Sequence, residues 1–78
     1  MKEQKIRQKS NDKLRLKELR EKAGLTQEQV AVKMQLRGFS KITRSVYSQM
    51  ECGTYNIKVC ELIALKQIFD CNYIDFFE

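Results

Sequence analysis

The sequence has no proline, no histidine and only three glycines in 78 residues. So few chain breakers disfavour a turn-rich β fold and favour helices joined by tight connectors. The lack of histidine removes the most frequent general base and a principal zinc ligand. Cys52, Cys60 and Cys71 are odd in number and form no CxxC, which argues against a disulfide framework or a zinc site. Free thiols suit a reducing compartment, so the cytoplasm is the expected location. No apolar segment follows Met1-Lys2-Glu3-Gln4-Lys5, so no signal peptide is expected. No apolar run is long enough to span a membrane. There is also no glycine-rich phosphate loop and no recognisable pair of catalytic carboxylates. The expectation is therefore a protein that is not an enzyme and carries no metal or cofactor.

What is present fits one small folded domain: 42% hydrophobic and 32% charged residues. The net charge of +5 is unevenly spread. Residues 1–58 hold 14 Lys and Arg against 6 Asp and Glu, a net +8. Residues 59–78 hold Lys66 against Glu61, Asp70, Asp75 and Glu78, a net −3. A basic part suits a polyanion, with the acidic end facing away. A solvated basic surface accounts for the same numbers equally well.

Residues 1–11 read as a basic arm, and residues 12–78 as the folded domain. Leu16, Leu19 and Ala23 share one helix face, with Asn11 or Asp12 as the cap and Gly24 as the stop. Leu14 lies off that stripe. Thr26 and Gln29 have the spacing of a capping box. Behind them, Val30, Ala31 and Met34 form a second stripe that Leu36 extends, and Gly38 ends it. Thr43 caps a third helix, with Tyr47 and Met50 inward and Gly53 at its end. The opposite face carries Arg44, Ser45, Ser48 and Gln49. A fourth helix runs from about Lys58 to Phe69, with Val59, Leu62, Ile63, Leu65 and Phe69 as its apolar set. Asn72 and Asp75 introduce a short fifth helix over 73–77. The fold class is thus all-α, with five helices.

In this order the segments "LKELREKAGLTQEQVAVKM", "ITRSVYSQMECG" and "ELIALKQIFDCNYIDFF" resemble XRE-type helix-turn-helix domains, the lambda repressor/Cro-like family. The resemblance covers about residues 14–77. Three departures stand out. "QLRGFSK" lengthens the turn before the recognition helix, as in a subset of the family. Ile57 stands where the family often has Pro. Asp70 stands where it often has Gly, and would have to adopt a left-handed turn.

The resemblance implies sequence-specific binding of double-stranded DNA by a transcriptional regulator, a repressor in the first instance. In such domains the recognition helix enters the major groove. By that match Arg44, Ser45, Ser48 and Gln49 are the base readers. Arg44 suits a guanine edge and Gln49 an adenine edge. Gln27, Lys41, Thr43, Tyr55, Asn56 and Lys58 are the phosphate-contact candidates. Each also has a plainer reading: Arg44 as an ordinary exposed charge, Gln27 as a polar helix start. Lys2, Lys5, Arg7 and Lys9 would add arm contacts. Glu51 is expected to be structural.

Tyr73, Ile74, Phe76 and Phe77 crowd large apolar groups at one end. They are expected to form a homodimer interface, the alternative being a cap on the monomer core. A competing function is an antitoxin-like or anti-repressor-like module that binds a protein partner.

Overall fold

A computed structural model describes residues 14–77 and the backbone of Lys5–Ile6. The expected cap residues Asn11 and Asp12, and the arm apart from that pair, lie outside the described residues. The helices are α1 (Leu16–Lys22), α2 (Gln27–Leu36), α3 (Arg44–Cys52) and α4 (Val59–Phe69). A 3-10 turn follows over Tyr73–Phe76. Two short strands, β1 (Lys5–Ile6) and β2 (Ile57–Lys58), pair antiparallel with Lys5 opposite Lys58 and Ile6 opposite Ile57.

Local hydrogen bonding explains where these helices start. A helix leaves its first backbone N–H groups without partners, and short polar side chains supply them. Thr26 Oγ1 accepts from the Gln29 N–H at 3.1 Å, and Gln29 Oε1 accepts from the Thr26 N–H at 2.8 Å. Thr43 Oγ1 accepts from the Val46 N–H at 3.3 Å. At α4, Glu61 reaches back to the Lys58 N–H at 2.9 Å. Asp75 does the same to the Asn72 N–H at 2.9 Å.

All four helices end in a pair of nested backbone bonds around one left-handed residue. At the end of α2 the Phe39 N–H donates to the Met34 carbonyl at 3.1 Å, and the Gly38 N–H to Gln35 at 3.0 Å. The same pair closes α1 at Gly24, α3 at Gly53 and α4 at Asp70. Asp70, at φ 52°, is the one non-glycine residue with positive φ among the described residues.

The core forms where these helices meet. Val30, Ala31 and Met34 of α2 are buried with Tyr47 and Met50 of α3 and with Leu62, Ala64, Leu65 and Phe69 of α4. Leu16, Ile42, Ile57 and Phe76 complete it. Each large side chain buried here contributes about 1.5–3 kcal/mol. The first and last parts of the domain are joined directly, because the Arg15 N–H donates to the Phe76 carbonyl at 3.0 Å.

Several expectations are corrected. The first helix starts at Leu16, with Arg15 at the cap position and no side-chain cap. Arg15 instead pairs with Glu18 along the first turn. Leu14 is buried in the core. Leu36 does not extend the buried stripe: it is 81% exposed. Val59 and Ile63 also lie on the open side of α4, because Glu61, Leu62, Ala64 and Leu65 take the inner side. The fifth helix is a single 3-10 turn. Phe76 is fully buried in the protomer and belongs to the core rather than to an interface.

Candidate nucleic-acid interface

The connector between α2 and α3 sets how α3 is held. It is longer than a tight turn, and it is packed rather than loose. Ile42 is buried and Phe39 half-buried. The Ile42 N–H donates to Phe39 at 3.0 Å, and the Thr43 N–H to Lys41 at 3.0 Å. From inside α2, the Gln35 amide donates to the Ile42 carbonyl at 3.0 Å. That bond ties the start of α3 back to the helix before it.

The inner side of α3 is held by Tyr47, Met50 and Glu51, all buried. Glu51 is a junction of three helices. Arg20 of α1 donates through Nε to Glu51 Oε2 at 2.6 Å. Gln27 of α2 donates through Nε2 to Glu51 Oε1 at 2.9 Å. Arg20 also donates to the Leu25 carbonyl at 2.9 Å. Burial alone would raise the Glu51 pKa, but the hydrogen bonds from Arg20 and Gln27 outweigh it and hold the carboxyl below its ordinary value. The Tyr47 hydroxyl is enclosed beside Glu51 and Arg20 and makes no hydrogen bond of ordinary geometry among the described residues. Burial, reinforced by the Glu51 charge, pushes its pKa far up, so it stays protonated.

The outer side of α3 carries the expected base readers. Arg44, Ser45 and Gln49 are exposed and Ser48 is half-buried. Together with Gln27 they line one surface depression. A neighbouring depression brings Lys41, Tyr55 and Lys58 together with Phe39, Val46 and Glu61. Asn56 is exposed in the loop before β2, and Thr43 is exposed at the start of α3.

Tyr55 and Gln27 are not free to act as simple phosphate donors. The Tyr55 hydroxyl donates to Glu61 Oε2 at 3.0 Å, so its one proton is already used. Gln27 commits one amide N–H to Glu51, which fixes the side chain beside the reading face.

Sequence reading missed Arg20 and Glu61. Both are charged residues on otherwise inward helix faces. Arg20 stands four residues after the buried Leu16, and Glu61 next to the buried Leu62. That placement was the available signal, since a charge on a core stripe is retained only when paired.

Taken together, a capped helix lies across α2 with its inner side locked. Its outer side is polar and is flanked by cations. This is the arrangement of an all-α DNA-binding domain. The chain belongs to the helix-turn-helix family, whose sequence model matches residues 16–76. That family comprises DNA-binding domains of transcription regulators, not enzymes. Neither curated proteins nor solved structures gave a match. Among the described residues no helix is long and apolar enough to cross a membrane.

Proposed function

We propose that this protein is a sequence-specific regulator of the Cro/repressor type that acts in the cytoplasm by occupying duplex DNA. The observation that carries this reading is the outer face of α3. Arg44, Ser45, Ser48 and Gln49 share one depression with Gln27, while the residues behind them are locked in the core. Arg44 is assigned to a guanine edge and Gln49 to an adenine edge, both in the major groove. Lys41, Asn56 and Lys58 flank that face and are assigned to phosphates. Thr43 serves first as the cap of α3. Gln27 and Tyr55 act mainly by holding the site, through Glu51 and Glu61. Tyr73, Ile74 and Phe77, which remain exposed, are assigned to a homodimer contact that sets two recognition helices on one site.

The test is selection from random duplex DNA, followed by titration of two variants. Selection is expected to return a short palindromic site. Arg44→Ala is expected to cost about 1–3 kcal/mol and to relax preference at one base position. Lys58→Ala is expected to weaken all sequences alike and to flatten the salt dependence. Equal effects of both changes on every sequence would overturn the division between readers and phosphate contacts. A failure to enrich any motif would overturn specific readout itself.

A further inference from the structure

We propose that the outward face of α2 is a contact surface for a second copy of this chain, the two α2 helices lying parallel about a two-fold axis. The proposal goes beyond the DNA-binding reading and does not rest on it.

The core accounts for one side of α2, through Val30, Ala31 and Met34. The opposite side is also apolar. Leu36 is 81% exposed and Val32 46% exposed. With the half-buried Leu25 they line an open groove. Within α2, Gln29, Val32 and Leu36 are spaced by three and four residues, the spacing of a helix–helix seam, and Leu25, in the connector before the Thr26 cap, extends the groove. Among the described residues nothing covers Val32 and Leu36.

The charges beside the seam identify what does. Glu28 and Lys33 line the same groove, on opposite sides of the seam. If a second copy is turned about an axis along the helix, Glu28 of each copy faces Lys33 of the other. The two residues are five apart, the offset of g-to-e pairs in parallel coiled coils. Turning it about an axis across the helix puts the Glu28 edges of the two copies on one side and the Lys33 edges on the other, so no Glu28 meets a Lys33. The groove is therefore self-complementary in one orientation only, as a two-fold contact requires. It shares no residue with the depression lined by Gln27 and the α3 readers.

The seam is short, so the contact is weak and concentration-dependent. The measurement is sedimentation equilibrium of the full chain across a concentration series. Every variant carries Ile74→Glu, so that the exposed apolar end does not contribute. Glu28→Lys and Lys33→Glu are each expected to weaken association about tenfold, since two attractive pairs become repulsive. The double exchange is expected to restore it, which a general loss of folding would not do. Leu36→Glu is expected to abolish it. Affinity for a single DNA half-site is expected to stay unchanged in all four variants, which separates this contact from DNA reading.

The proposal is overturned if the chain carrying only Ile74→Glu is monomeric at every concentration. It is also overturned if Leu36→Glu still associates, or if the double exchange fails to restore what each single change removed. A drop in half-site affinity with Leu36→Glu would overturn the separation of the two surfaces.

Discussion

Glu51 shows how much one side chain can arrange. Its carboxylate accepts from Arg20 of α1 and Gln27 of α2 while it sits on the inner side of α3. A buried pair of this kind adds modest net stability, because desolvation offsets much of the attraction. Losing one partner is another matter, since the other charge is then stranded. The lowered pKa gives this site a pH signature. A carboxyl held below its ordinary 4.5 contributes stability that is whole above that value. The contribution fades as pH falls through the folded-state pKa. Urea unfolding of the parent chain is therefore expected to lose midpoint steeply below about pH 4.5. Glu51→Gln, already weaker at pH 7, is expected to lose less over the same window. Parallel pH curves for the two proteins would show that other carboxylates carry the acid sensitivity.

The same residue explains why part of the site was not legible. Arg20 and Glu51 are 31 residues apart in sequence, and no local pattern links them. Sequence reading placed Glu51 as structural through family resemblance but gave it no partner.

The ends of the elements were the most legible features. The Thr26–Gln29 box, the Thr43 cap and the stops at Gly24, Gly38 and Gly53 are all as read from the sequence. Caps depend on hydrogen bonds between near neighbours, so the signal stays within a few residues. Faces were less legible where a helix is apolar nearly all round. In α4 the inner side is decided by packing, and Val59 and Ile63 fall outside although their hydrophobicity matches that of Leu62 and Leu65. Leu36 is open for a related reason: α2 reaches its last turn there, and Phe39 and Ile42 close the core instead. Periodicity could not separate a residue facing the core from one facing outward on the opposite stripe.

The end of α4 supports a direct prediction. Asp70 performs at φ 52° what glycine performs at the other three helix ends. A left-handed non-glycine residue carries a steric cost of roughly 1 kcal/mol, partly offset by the chain entropy a glycine would lose. Asp70→Gly is expected to stabilise the protein by about 0.5 kcal/mol in urea unfolding, without altering DNA affinity. A destabilised variant would mean that the Asp side chain supplies more than the turn needs.

At the scale of the whole molecule, charge and apolar surface are segregated. The cations that flank α3 come from the basic part of the sequence, whereas the acidic part holds α4 and the closing 3-10 turn. That turn was expected to contribute four residues to a dimer contact. Phe76 is spent on the core, which leaves Tyr73, Ile74 and Phe77 at 44%, 56% and 57% exposure. Lys66 lies over the Tyr73 ring at 5.2 Å from its centre, which orients that ring at the surface. Ile74→Glu is expected to reduce affinity for a two-half-site duplex towards that for a single half-site, with the helical circular dichroism signal unchanged. Undiminished affinity for the two-half-site duplex would remove these three residues from the interface.

The bond from the Arg15 N–H to the Phe76 carbonyl places the two ends of the folded part side by side. The backbone is thus almost a closed ring, and the point at which a ring is cut is a matter of choice. A circular permutant joining Phe77 to Leu14 and opened between Arg37 and Lys41 would retain the core. It would release α3 from the covalent half of its tether to α2. What remained would be the side-chain ties: the bond from Gln35 to the Ile42 carbonyl and the grip of Arg20 and Gln27 on Glu51. Comparing the permutant with the natural chain would separate the angle set by the connector's covalent path from the angle set by those side-chain ties.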